Sequence, residues 1–140
     1  MLSSYLLAVV AGWIVAQGVK YLLKVIKTGD IGQVRQLYLP GSMPSAHSAS
    51  VVSLLTVIGI KDGVESGLFA LAALFAAIVM YDAIMVRRSS GEQGAALHAL
   101  LQEIKSRVKK PRAAKGHTPI EVLVGAMIGV VIGVVVVLAT

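Results

Sequence analysis

Four apolar runs, 5–26, 44–60, 67–86 and 119–138, leave this chain little choice of fold. Each approaches the ~20 residues that a helix needs to cross a bilayer core, where backbone polar groups must be paired within the protein. Of the 140 residues 56% are hydrophobic, the mean hydropathy is +0.82, and no long polar domain is present. The sequence therefore predicts an all-α, polytopic membrane helical bundle with about four transmembrane helices, in a single domain over residues 1–140. The first run lacks a basic leader and a small-residue cleavage pattern, so a retained span is expected rather than a signal peptide. The second run is short: about 17 residues at 1.5 Å rise reach only ~25 Å. Its Ser45, Ala46, Ser48, Ala49, Ser50 and Ser53 favour close helix contact.

The one long polar stretch is 89–116. Leu97, Leu100, Leu101, Ile104 and Val108 recur there at helical spacing among Lys105, Arg107, Lys109 and Lys110, with Pro111 as the stop. That pattern predicts an amphipathic helix lying on the membrane surface. No aromatic residues interleave with the lysines to stack bases, so the basic loop fits anionic lipid headgroups and not nucleic acid. His98, on this helix without a ligand partner nearby, is assigned a surface role. Lys27 and Arg35 in the first loop, and the many cations of the third from Arg87 to Lys115, contrast with Lys61 alone in the second. The positive-inside rule then puts loops one and three in the cytoplasm and both termini outside, in an inner membrane. In the last run, Gly125, Gly129 and Gly133 form a glycine face that suggests a homodimer. There is no cysteine, which excludes disulfides and thiolate chemistry.

Two short stretches carry chemistry. In Gly41-Ser42-Met43-Pro44-Ser45-Ala46-His47-Ser48, Pro44 suits a first helical turn. The amides of Ser45, Ala46 and His47 would then face outward as an anion site with His47 as proton donor. A plain helix start with a satisfied histidine fits this stretch equally well. Gly116-His117-Thr118-Pro119-Ile120-Glu121 repeats the logic at the last run. Thr118 with Glu121 makes a capping box, a purely local role. Alternatively, Glu121 takes the Nδ1 proton of His117 and leaves Nε2 as a nucleophile. Both histidines open helices on the side that also receives Lys20 and the Arg87-Arg88 pair. Two histidines among fixed cations suit in-line phosphoryl transfer. No carboxylate cluster suggests a metal, and no cofactor is implied. Asp82 is a partner for Lys20 or Arg87, either to balance charge or to support catalysis.

The three blocks Pro44-Ser45-Ala46-His47, Tyr81-Asp82-Ala83 with Val86-Arg87-Arg88, Gly91 and Gln93, and Gly116-His117-Thr118-Pro119 with Glu121-Val122 resemble the divergent branch of the type 2 phosphatidic acid phosphatase family. That family is related to acid phosphatases and vanadium-dependent haloperoxidases, and Ala16-Gln17 with Lys20 also fits the branch. The resemblance spans essentially the whole chain. It implies His117 as nucleophile, His47 as general acid, and Glu121 where an aspartate usually orients the nucleophile. It implies phosphate binding by Lys20, by Arg87 or Arg88, and by Ser45, with Asp82 and Gln17 in support. In the parent enzymes the arginine lies a few residues before the nucleophile, whereas here the amphipathic helix intervenes. The first block lacks its usual Arg-Pro ending, with Lys27 as the nearest substitute. The parent enzymes commonly have six spans, and the four here match the last four.

The expected function is hydrolysis of a lipid phosphomonoester at the cytoplasmic membrane surface, without metal. The alternative is a non-catalytic membrane protein that binds anionic lipid or organises a partner around a degenerate phosphatase site. A small transporter is disfavoured by four spans without an internal repeat.

Overall fold

The computed structural model describes residues 3–29, 31–32, 43–111 and 116–140, which are helical apart from short connections. The elements are α1 (Ser4–Thr28), α2 (Ala46–Lys61), α3 (Gly67–Tyr81), a π turn (Asp82–Val86), α4 (Arg87–Glu103) and α5 (Pro119–Ala139). Three helical stretches, Ser4–Thr28, Gly67–Glu103 and Pro119–Ala139, are long and apolar enough to cross a membrane, and α2 is a shorter apolar helix. The all-α membrane bundle read from the sequence is thus the architecture of the chain. Gly41, Ser42, Arg35, Arg112 and Lys115, which entered the sequence reading, lie outside the described residues.

The short helix is the hub. α2 packs against α1, α3 and α5, and buries Ala46, Ser48, Ala49, Val52, Ser53, Val57 and Ile58. Lipid tails are as apolar as leucine, so such a bundle is held by close packing and interhelical hydrogen bonds. Ser53 illustrates both: its hydroxyl donates to the Ala8 carbonyl of α1 at 2.7 Å, next to Gly12. On the other side, a Cβ on Gly125 would stand 2.4 Å from the Ser45 carbonyl oxygen, and one on Gly129 2.6 Å from that of Ala49. Gly133 meets Thr56 as closely. This corrects one expectation: the Gly125, Gly129, Gly133 face is buried against α2 of the same chain, so it is not a surface for a homodimer. Large residues such as Leu6, Ile14, Leu71, Phe75, Met127 and Val131 point outward instead.

Three boundaries differ from the sequence reading. Pro44 precedes α2; Ser45 is the N-cap, its hydroxyl accepting from the Ser48 amide, and Ala46 is the first helical residue. The third apolar run does not break at residue 86, because the π turn carries it straight into α4. At ~1.5 Å per residue this rod is ~55 Å long, so its amphipathic part must leave the hydrocarbon. The amphipathic helix is therefore an extension of the third span, with Leu97, Leu100 and Ile104 exposed. It ends well before Pro111, which leaves Val108 outside it. Lys105 adopts φ 50°, its amide donates to the Gln102 carbonyl, and that of Ser106 donates to Leu101. Those bonds form a Schellman motif that closes the helix without proline. His98 Nε2 lies 2.6 Å from the Pro111 carbonyl oxygen and holds the returning chain.

One end of the bundle is tied by polar contacts. Tyr5 donates to Asp62 at 2.8 Å, and Lys61 donates to Ser4 at 2.9 Å and Thr140 at 3.3 Å. From this end, α2 rises only ~24 Å and α1 ~37 Å. α2 therefore stops near the level of Lys20, about two turns short of the end of α1.

Candidate phosphate site

The candidate residues gather at this other end of the bundle. Ser45 donates its amide to the Glu121 carbonyl at 3.1 Å, which fixes the start of α2 against the start of α5. That bond places His47 and His117 at two adjoining helix openings. Arg87, His117, Lys20 and Asp82 lie close enough to act on His47 electrostatically, and Glu121 and Lys24 on Lys20. Residues 20, 47, 82 with 87, and 117 with 121 come from four separate stretches of the sequence, so the fold itself assembles this cluster.

Glu121 makes the capping contacts and also meets His117. Its Oε2 accepts from the Thr118 amide at 3.0 Å and lies 3.1 Å from His117 Nδ1. The Thr118 hydroxyl in turn accepts from the Glu121 amide, closing the capping box. With Nδ1 directed at a carboxylate, the imidazole proton belongs on Nδ1 and the Nε2 lone pair is left for chemistry. His117 is only 8% exposed, so its ring has little freedom.

The two arginines part company. Arg87 Nε lies 2.7 Å from Asp82 Oδ2, and its charge reaches His47. Arg88 turns to Glu92 on the exposed side of α4 at 3.2 Å. Its backbone instead packs on Gly116, where a Cβ would stand 2.6 Å from Arg88 Cα. The His117 amide donates to the Ala83 carbonyl at 3.0 Å. The long excursion between Arg87 and His117 is therefore closed at its base, which brings the two ends together despite the inserted helix.

Other expected positions serve differently. Ser45 is fully buried, with its hydroxyl taken by the Ser48 amide and hydroxyl, so it is a cap and not a phosphate ligand. Its amide is also occupied, which reduces the expected anion site at this helix start to the amides of Ala46 and His47. Gln17 lies one turn from Lys20 on α1 with its side-chain oxygen buried. Lys24 and Lys27 line a cleft of about 470 Å³ together with Lys20, Leu23, Met43, Thr118, Ile120 and Glu121. Sequence reasoning missed that cleft and the Ala83 carbonyl, since backbone atoms and gaps between helices leave no motif. Among the described residues, no group of three or more His, Asp and Glu is placed to hold a metal ion.

Fold and site together define a helical membrane protein with two histidines, a histidine-bound carboxylate and flanking cations at one end of the bundle. The chain belongs to the divergent PAP2 family, whose model matches residues 1–132. It is similar to the uncharacterized membrane protein YuiD of Bacillus subtilis (strain 168), with 38% identity over 104 residues. That match covers 64% of this chain and 66% of the relative, so the chain spans about two thirds of the relative's length. No solved structure matches the chain.

Proposed function

We propose that this chain is a lipid-phosphate phosphatase that cleaves a phosphomonoester through a histidine nucleophile. The observation that carries the reading is the His117–Glu121 pair at 3.1 Å, at the same end of the bundle as His47 and within reach of the Lys20 and Arg87 charges. His117 Nε2 attacks phosphorus, and the bond from phosphorus to the alkoxide oxygen breaks. That oxygen takes its proton from His47. Water then attacks the phosphohistidine, His47 accepts a water proton, and inorganic phosphate leaves with His117 restored. Lys20 and Arg87 offset the charge of the bound phosphate. A lipid substrate suits the site because exposed Leu22, Ile26, Ile120 and Leu123 flank it, so acyl or prenyl chains stay in the bilayer.

The site is assigned to the cytoplasmic face of an inner membrane. Among the described residues, Lys61 is the one Lys or Arg at the opposite end. The deciding experiment is phosphate release from a panel of lipid phosphates by purified protein in detergent, with and without EDTA. Turnover that survives EDTA and vanishes in His117→Ala supports the reading; no release from any member of the panel overturns it. A second reading, binding of anionic lipid without turnover, is favoured by one observation. The cleft with three lysines is lined by neither histidine. Lipid binding without phosphate release would establish it.

A further inference from the structure

The segment Asp82–Val86 is wound as a π turn in the middle of an otherwise regular 67–103 helix. Such turns carry one extra residue, interrupt the α ladder, and recur at functional sites. Here the extra residue has a geometric result. Residues five apart on an α-helix point roughly 140° away from each other. Across this turn Arg87 instead donates its backbone amide to the Asp82 carbonyl, and its side chain meets the Asp82 carboxylate at 2.7 Å. The carboxylate engages Nε, at the root of the guanidinium, and the fork of terminal nitrogens suits an oxyanion. One residue further on, the Ala83 carbonyl receives the His117 amide at 3.0 Å, and Gly116 lies flat on Arg88.

We propose that the π turn is a positioning element, in which Asp82 aims Arg87 at the oxyanion and the Ala83 carbonyl holds His117 beside it. The proposal rests on the phosphatase reading of this site, and makes Arg87, not Arg88, the phosphate-binding arginine. Asp82 touches no substrate; it acts through Arg87. The pair is about one-third exposed on both sides, where an ion pair adds little to stability, so its loss is expected to spare the fold.

The test is a double-mutant cycle read by vanadate affinity, with turnover of a lipid phosphate measured in parallel. Arg87→Gln should weaken vanadate binding about tenfold or more, the range for losing a charge-assisted contact. Asp82→Asn should weaken it about tenfold with an unchanged melting temperature in detergent. The double variant should bind no worse than Arg87→Gln alone, because Asp82 has no other route to the anion. Arg88→Gln should bind as the parent does. Multiplying losses in the double variant, or normal binding by Asp82→Asn, overturns the aiming role. A separate variant, Gly116→Ala, pushes the backbone at Gly116 off Arg88 and should lower kcat while vanadate binding persists. Unchanged turnover there overturns the tether. If the parent protein binds vanadate and releases no phosphate, the catalytic reading falls while the cycle still reports on Asp82. If it binds no vanadate, the phosphate site itself is overturned.

Discussion

Glu121 concentrates three jobs on one residue: its carbonyl anchors α2, its carboxylate caps α5, and the same carboxylate holds His117. A substitution that keeps shape and removes charge separates these jobs. Glu121→Gln retains an oxygen that accepts from Thr118, so the cap survives and stability should change by less than about 1 kcal/mol. A neutral amide cannot stabilise the positive charge that builds on His117 as it attacks, so kcat should fall roughly 100-fold or more. Near-normal turnover in this variant would reduce Glu121 to a capping residue. His47 is tested by the leaving group. An alkoxide needs a proton as it departs and an aryl oxide hardly does, so His47→Ala should slow a lipid phosphate far more than an aryl phosphate. Equal slowing of both substrates would remove His47 from the role of acid. For His117 no neighbouring group can replace the covalent step, and His117→Ala should abolish turnover with vanadate binding and folding retained.

Helix contacts set the next level, and there the small residues decide. A side chain at Gly129 would run into the Ala49 backbone and the Val52 Cβ, neither of which can swing aside. Gly129→Leu should therefore separate α2 from α5, with a loss of about 1–3 kcal/mol or more seen as a lower melting temperature in detergent. At Gly18, on α1, a Cβ would meet nothing within 4 Å, so Gly18→Ala should be neutral or gain up to about 1 kcal/mol in helix propensity. Comparable melting temperatures for the two variants would refute this account of the packing. The same contacts show what a sequence can disclose. Apolar runs, the Thr118–Glu121 box and the glycine spacing are local patterns, and they were legible as spans, a cap and a contact face. Which helix the glycine face meets is a matter of packing, and the answer was α2 instead of a second copy. The π turn had no local signature: the sequence left Lys20 and Arg87 both open as partners of Asp82, and only the extra residue turns Arg87 onto its face. Ser45 misled for the opposite reason, since a serine before a helix serves a cap as readily as an anion.

At the scale of the whole molecule, one short helix sets apart the end that carries the candidate site. α2 shares its Lys61 end with Ser4 and Thr140, yet stops about two turns before α1 does, and His47, His117, Lys20 and Arg87 gather at that other end. Among the described residues, the end tied by Tyr5, Asp62 and Lys61 is poor in cations; the end with the histidines carries Lys24, Lys27, Arg88 and the 105–110 run. This asymmetry fixes an orientation if the basic end is retained in the cytoplasm. The chain has no cysteine, so single cysteines can report sidedness without background. Ser3 is exposed beside the tied end, and Ser106 lies just past α4 on the opposite side. In intact cells a membrane-impermeant thiol reagent should label Ser3→Cys from outside, while Ser106→Cys should react only after the membrane is opened. Both positions reacting in intact cells would break the two-ended arrangement. Labelling of Ser106→Cys alone would invert it, place the histidines outside, and turn the search for substrate to lipid phosphates of the outer leaflet.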